Sequence, residues 1–283
     1  MLHFTTSKLG TNFATPLFIV FGLACLTLGH NAYAFENITY IQDLHGGLQE
    51  PTDVAVAANG DVYVLDRDAS KVFVFDGRGK PKLDFGGHGS GPGQFDDPES
   101  LAVLPNGHTL VADTGNDRIQ SFDSTGKFLF QFGVSGKLSG QFDTPIGLAV
   151  DQFGIVFVAD RDNRRIQAFS EQGIFLRTYK INGAPRDVAI DPQRNLYVLV
   201  PNPQAIFRIP ANGEAIKKIP NNNGALNFLS LASGIVADMR GDLYITEQSD
   251  ESVKKLDPKG HILLSFGSDG DGPGQFDEPS GVG

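Results

Sequence analysis

Repeated units of four short strands predict an all-β chain folded as a β-propeller. A Pro-x-x-(apolar)-Ala pattern recurs along the chain, with alanine in place of proline in the fifth copy, and a sixth copy begins as PSGVG. The copies start at Pro51, Pro98, Pro145, Pro185, Ala232 and Pro279. Their spacing of 40 or 47 residues is the period of a propeller blade. No 3.6-residue helical periodicity is visible, so a helical solenoid is not expected.

The second unit illustrates how the strands are assigned. Runs rich in Val, Ile, Leu and Phe alternate with turn residues such as Pro105-Asn106-Gly107 and Ser124-Thr125-Gly126. The predicted strands are Leu101–Val103, Thr109–Ala112, Ile119–Phe122 and Phe128–Phe132. Four strands in each unit make one blade, and we expect five complete blades between residue 51 and residue 278.

The two ends of the chain predict a sixth blade that is split between the termini. The segment NITYIQDL has the pattern of a closing strand near residues 38–42, and the unit that opens at Pro279 stops at Gly283. We expect about 20 further residues beyond Gly283 to supply the other strands of this blade. The alternative is a five-bladed ring with a frayed tail.

The units resemble the NHL repeat family of β-propellers. The matching segments are GPGQFDDP, LAVLPNGHTLVADTGNDRIQSFDSTGKFLFQFG and LAVDQFGIVFVADRDNRRIQAFSEQGIFLRTY. The resemblance covers residues 38–283 and is strongest in the second and third units and weakest in the fourth. It implies a ring of blades, most often six, and it implies no particular activity.

Residues 1–34 are predicted to be a signal peptide, with the propeller occupying residues 35–283. Leu17–Leu28 is an apolar run too short to span a bilayer comfortably, and Ala32-Tyr33-Ala34 offers small residues before a cleavage site. The protein is therefore expected to be exported, periplasmic or extracellular, with no stable membrane span after cleavage. An uncleaved anchor and a lipoprotein attached through Cys25 are the alternatives.

Composition restricts the chemistry. The formal net charge of −10 argues against nucleic acid as a partner, because phosphate binding needs a basic face. Cys25 is the only cysteine, so a mature chain without it has no disulfide or thiolate chemistry. The candidate histidines His45, His88, His108 and His261 are divided between the two faces, which predicts no zinc site.

An acidic residue followed five positions later by a base recurs after the second strand of several units. The pairs are Asp66 with Lys71, Asp113 with Arg118, and Asp160 with Arg165. Five-residue spacing across a hairpin lets the carboxylate meet the base or the loop N–H groups. Because a catalytic group is needed only once, repetition favours a structural brace over a charged ligand site.

The residues just after each proline are expected to surround the axial channel, and they differ from blade to blade. Candidate ligand-binding residues are Asp53, Glu99, Arg186 and Asp187, with Arg67 and Arg161 at the rim. The alternative is a water-filled channel mouth. No catalytic residue and no cofactor are predicted; the acidic turn Ser268–Gly272 is the best local candidate for calcium.

These observations favour an exported binding or scaffolding propeller without catalytic activity. Its loop face would hold a protein, a peptide or a glycan. The first alternative is a metal-dependent propeller enzyme, of the lyase or lactone hydrolase type. The second is that the propeller is the recognition module of a longer cell-surface protein.

Overall fold

The structure is a computed structural model. It describes the backbone of residues 2–6, 17–21, 39–44, 47–219, 226, 229–270 and 272–283, and the side chains from residue 44 onward within these ranges except that of Ser230. Three strands precede the first complete blade. They are β1 (Leu2–Thr6), β2 (Leu17–Phe21) and β3 (Thr39–Leu44).

Five four-stranded antiparallel sheets follow, each built from consecutive strands. Blade 1 contains β4 (Pro51–Val56), β5 (Val62–Asp66), β6 (Lys71–Phe75) and β7 (Pro81–Gly86). Blade 2 contains β8 (Ser100–Val103), β9 (Thr109–Asp113), β10 (Arg118–Phe122) and β11 (Phe128–Phe132). Blade 3 contains β12 (Pro145–Val150), β13 (Val156–Asp160), β14 (Arg165–Phe169) and β15 (Phe175–Lys180).

Blades 4 and 5 repeat this order. Blade 4 contains β16 (Asp187–Ile190), β17 (Leu196–Val200), β18 (Ala205–Ile209) and β19 (Lys217–Ile219). Blade 5 contains β20 (Ala232–Ala237), β21 (Leu243–Glu247), β22 (Ser252–Leu256) and β23 (Ile262–Phe266), and β24 (Pro279–Val282) follows it. Short 3-10 turns lie at Thr114–Asn116 and Leu229–Leu231. The fold class predicted from the repeats, a β-propeller of four-stranded blades, is confirmed.

The sixth sheet joins the two ends of the chain in the order β24-β1-β2-β3. It differs from the expectation that residues beyond Gly283 supply its missing strands, because β1 and β2 take those places. The open edge of β24 pairs with β1, and β2 falls within the apolar run predicted to be part of a signal peptide. The signal peptide stays a prediction.

The first strands of all six sheets form a closed inner ring: β4, β8, β12, β16, β20 and β24 each contact the next, and β24 contacts β4. The second strands β5, β9, β13, β17 and β21 are buried at every residue, because neighbouring blades cover both of their faces. The hydrophobic core therefore lies between blades. The described residues include no helix that is long and apolar enough to cross a membrane.

Phenylalanines from the blade-connecting loops fill these interfaces. Phe95, Phe142 and Phe276 are each at most 1% exposed. Phe142 packs with Leu110 and Ile119 of blade 2 and with Phe169 of blade 3. Each loop thus inserts one large ring between two sheets, which fixes the blade-to-blade spacing and so the geometry of the inner ring.

Candidate functional site at the axial channel

The third residue of each unit lies on the inner ring, and in units 1, 2 and 4 it has a polar side chain that links neighbouring blades. Asp53 of blade 1 accepts hydrogen bonds from the backbone N–H of Val54 at 2.8 Å and of Leu101 at 2.9 Å. The Ser100 hydroxyl also donates to Asp53, at 2.7 Å. Ser100 Oγ in turn accepts from the N–H of Leu148 in blade 3, at 3.1 Å.

Asp187 repeats this arrangement in blade 4. Its carboxylate accepts from the N–H of Val188 at 2.8 Å and from that of Ile235 in blade 5 at 2.9 Å. Glycines of the preceding blades make room for both aspartates. A Cβ on Gly281 would lie 2.5 Å from the Cα of Asp53, and one on Gly147 would lie 2.7 Å from Oδ1 of Asp187.

The inner strands enclose an axial cavity of about 270 Å³. Its wall is apolar, made of Val, Ala, Leu and Ile side chains, except where Asp53 and Asp187 face it at the end nearest the loop face. Blades 1 and 4 lie opposite each other in the ring, so the two carboxylates approach the axis from opposite sides.

Burial shifts both carboxyl groups in the same direction. Desolvation raises the pKa of Asp53 to about 6, against the hydrogen bonds from Leu101, Ser100 and Val54. Desolvation, and then the charge of Asp53, raise the pKa of Asp187 to about 8. Arg186 opposes both shifts. Loss of the second proton from this pair places two negative charges near the axis, and it therefore requires a higher pH than loss of the first.

The pair makes stability depend on pH. The folded pKa of Asp187 lies above its unfolded value, so the folded chain binds more protons and stability falls as pH rises toward 8. We expect the free energy of unfolding to drop by about 2–3 kcal/mol between pH 6 and pH 8 from this pair. Denaturant titrations at a series of pH values measure the drop.

The variant Asp187→Ser should flatten this pH dependence, because Ser100 already fills the same position in blade 2 and accepts the corresponding N–H. The control is Asp76→Asn, since the N–H groups of Lys80 and Arg78 lower the pKa of Asp76 and it titrates below this pH range. An unchanged slope in Asp187→Ser would show that another group titrates.

A charged network covers the loop-face mouth of the channel. Glu99 is its centre: Oε1 lies 3.0 Å from Arg67 Nη1, and Oε2 lies 3.3 Å from Arg186 Nη1. The Glu99 side chain is 9% exposed, whereas the two arginine side chains are about one-third exposed. Arg67 also contacts Glu50 and, at 3.8 Å, Asp97.

The structure thus brings together five of the six candidate ligand-binding residues: Asp53, Glu99, Arg186, Asp187 and Arg67. Arg161 lies apart from them. Its side chain is half exposed, and among the described residues its ionic partner is Asp162, at 4.0 Å. Glu50, which precedes the first unit, joins the network although the repeat pattern gives no sign of it.

The recurrent acid–base pairs in blades 2 and 3 brace the blade-connecting loops. Asp113 lies 2.6 Å from Arg118 Nε and accepts from the N–H of Asp96 at 2.7 Å. Arg118 also donates to the carbonyl oxygens of Gly91 and Gln94. Both members of the pair are buried.

Blade 3 repeats the brace. Asp160 lies 2.6 Å from Arg165 Nε and accepts from the N–H of Asp143 at 2.8 Å. Arg165 Nη2 donates to the carbonyl oxygens of Leu138 and Gln141. Because the carboxylate and the guanidinium are both saturated by the protein itself, these groups are not free to hold a ligand.

Blade 1 departs from this pattern. Asp66 accepts from the N–H groups of Gln49, Glu50 and Ala69. Lys71 is paired instead with Asp84 on β7, at 2.6 Å. A lysine ammonium lacks the planar set of donors with which arginine reaches both the carboxylate and the loop carbonyls. Lys71 is therefore not part of the brace.

Two glutamines complete the brace and are absent from the sequence-based candidates. Gln120 Nε2 donates to Asp113 at 2.9 Å and to the Gln94 carbonyl at 2.6 Å. Gln167 makes the equivalent contacts with Asp160 and Gln141. The repeated Asn-x-Arg-Ile-Gln segment in units two and three carries this signal.

No cluster of three or more His, Cys, Asp or Glu side chains arranged to hold a metal is found among the described residues. Asp271, in the acidic turn proposed for calcium, lies outside them, as does His45. His261 is paired with Asp257 at 2.8 Å, in a turn on the face opposite the channel mouth.

The ring of four-stranded sheets defines the class of the protein: it is a β-propeller. The family model of the NHL repeat matches residues 48–75 and 95–122, which span the first three strands of blades 1 and 2. Blades 1 and 2 of this β-propeller thus match the NHL repeat. No curated protein matches its sequence.

Solved structures share the fold at low sequence identity. A chain of a nidogen/laminin complex is 16% identical, with 99% of this chain and 96% of that chain covered and a TM-score of 0.69. A protein of unknown function from Bacteroides caccae is 15% identical, with 99% and 97% covered and a TM-score of 0.65. Virginiamycin B lyase from Staphylococcus aureus is 17% identical, with 76% and 69% covered and a TM-score of 0.59.

Proposed function

We propose that this chain is an exported, non-catalytic binding propeller whose loop face recognises a basic segment of a partner protein. One observation carries the proposal: the channel mouth collects carboxylates from several blades and leaves them in excess of the bases beside them. Elsewhere on the loop face blades 2 and 3 share the same brace, whereas the residues at the mouth differ from blade to blade.

The charge at the mouth is negative. Five carboxyl groups converge there. With Asp187 largely protonated at neutral pH, the other four still outnumber the two guanidinium groups, which Glu99 already holds. The carboxyl groups belong to Glu50, Asp53, Asp97, Glu99 and Asp187. Asp97 has a side chain that is 60% exposed, so a cation of a partner can reach it directly.

A buried hydroxyl group next to Asp53 supports the binding of a partner side chain at the mouth. Thr52 precedes Asp53 on β4, and its Oγ1 is buried without a hydrogen-bond partner among the described residues. Buried polar atoms normally have a partner in the protein, in water or in a ligand. A lysine or arginine side chain entering the mouth would offer donors to this oxygen as well as to the carboxylates.

The enzyme alternative rests on the raised pKa values of Asp53 and Asp187, since perturbed carboxyl groups often mark catalytic sites. Against it, each of the two carboxylates already accepts N–H groups from two neighbouring blades, which suits a structural role. Of the similar structures, virginiamycin B lyase is an enzyme, whereas another matched chain belongs to a nidogen/laminin complex.

Selection from a library of displayed 12-residue peptides tests the proposal. We expect the enriched peptides to carry lysine or arginine, and the variant Asp97→Asn to bind them about three- to tenfold more weakly at low salt. Asparagine tolerates the left-handed backbone of Asp97, whose φ is 47°, so the fold is preserved.

The matched control is Asp76→Asn, which removes one negative charge from a turn on the opposite face. An asparagine there still accepts the N–H groups of Arg78 and Lys80. Enrichment of peptides without basic residues, or equal weakening by the two variants, would contradict recognition at the channel mouth. A metal-dependent activity that survives Asp97→Asn would favour the enzyme instead.

A further inference from the structure

An aromatic contact recurs where consecutive blades meet near the turn face. Phe85 on β7 stacks on Phe122 of blade 2, with ring centres 4.9 Å apart, and Phe132 on β11 stacks on Phe169 of blade 3, also at 4.9 Å. In each interface, a glycine in a turn of the second blade packs against the phenylalanine ring of the first blade. A Cβ on Gly126 would lie 2.7 Å from the Phe85 ring, and one on Gly173 would lie 2.6 Å from that of Phe132.

The interface between blades 3 and 4 lacks this contact. Tyr179 occupies the position of Phe85 and Phe132, but Ile209 replaces the phenylalanine that should face it. A Cβ on the equivalent turn glycine, Gly213, would meet nothing within 4 Å. The strand that follows this turn, β19, has only three residues and begins at Lys217.

A cavity of about 260 Å³ lies where the missing contact would be. Its apolar wall includes Phe157, Tyr179, Leu196, Ile209, Pro210 and Ile216. The volume is slightly below the range of about 300–1,000 Å³ that holds drug-sized ligands, so the cavity suits a small guest. It lies at the turn face, away from the loop-face mouth of the channel.

Among the charged side chains that line this cavity, the one without an ionic partner in the described chain is an arginine. Arg177 is exposed and places its guanidinium 5.6 Å from the ring centre of Tyr179, and it forms no hydrogen bond or ion pair with the rest of the described chain. Arg194 is held by Asp151 at 2.8 Å. Glu214, the carboxylate at the rim, is held by Lys217, also at 2.8 Å.

We propose that the cavity between blades 3 and 4 binds a small aromatic carboxylate. The ring of the guest would lie between Tyr179 and Ile209, where the preceding two interfaces hold a phenylalanine. Its carboxylate would pair with Arg177, whose planar donors match that group. This site is independent of the partner-binding mouth.

Indole-3-propionate is a suitable probe, because the chain has no tryptophan and the indole can be excited at wavelengths where the tyrosines of the chain absorb little. We expect saturable binding by fluorescence anisotropy, with the neutral amide of the same compound binding about tenfold more weakly. Arg177→Gln should weaken binding of the acid to the level of the amide. This substitution is at the surface, so its result does not depend on refolding of the core.

Two further variants locate the site. Ile209→Phe restores the ring found in blades 2 and 3 and should fill the cavity, abolishing binding while thermal unfolding remains cooperative. Lys180→Gln removes the same charge from the opposite face of β15 and should leave binding unchanged. The proposal is overturned by failure of the acid to saturate, by equal affinities for acid and amide, or by wild-type binding in folded Ile209→Phe.

Discussion

Replacing Asp160 with alanine is expected to lower the free energy of unfolding by about 3–5 kcal/mol. The side chain of Asp160 is fully buried and lies 2.6 Å from Nε of Arg165. Its removal leaves a buried guanidinium without its carboxylate, and it also leaves the N–H of Asp143 without its acceptor. Urea denaturation followed by circular dichroism measures the loss.

Asp162→Ala is the matched control, in the same loop two residues away. The Asp162 side chain is 53% exposed, so its loss should change stability by no more than about 0.5 kcal/mol. If the two variants were equally stable, the Asp160–Arg165 pair would not be a brace, and the assignment of the repeated acid–base pairs to structure would have to be withdrawn.

Phe142→Ala is expected to cost about 3–5 kcal/mol by a different mechanism. Phe142 is fully buried, and its ring centre lies 5.4 Å from that of Phe169 and 6.4 Å from that of Phe132. Deleting the ring empties the interface between blades 2 and 3. The wall cannot collapse easily, because the two sheets are held apart by the remaining side chains.

Leu138→Ala provides the comparison within the same blade-connecting loop. Leu138 is 71% exposed, so truncation should leave the free energy of unfolding within about 0.5 kcal/mol of that of the unmodified chain. A large loss at Leu138, or a small one at Phe142, would mean that the loop phenylalanine does not set the spacing of the blades.

The strands and blades could be predicted from the sequence because each unit repeats the same local pattern. The Asp113–Arg118 pair was also within reach, since the two residues face each other across one hairpin in register. Lys71 faces Asp66 in the same way, yet its ammonium pairs with Asp84 of the next strand. Local spacing predicts which residues are opposite, but it does not predict which partner a flexible side chain chooses.

Features that depend on contacts between blades were out of reach. The inner-ring role of Asp53 follows from its bond to Leu101, 48 residues away, and from the absence of a side chain at Gly281. The cavity beside Tyr179 depends on the short strand β19 and on the empty space next to Gly213. The position of Arg161 in the repeat predicts a place at the rim, but the repeat does not predict its contact with Asp162 in the same loop.

A hydrogen-exchange footprint of a selected basic peptide tests directly whether the channel mouth on the loop face is the recognition surface. We expect slower backbone exchange at residues 50–53, 96–99 and 186–187 when the peptide is bound, and no change in the turns at 152–154 and 239–241 on the opposite face. Protection confined to those turns, or spread evenly over both faces, would contradict it.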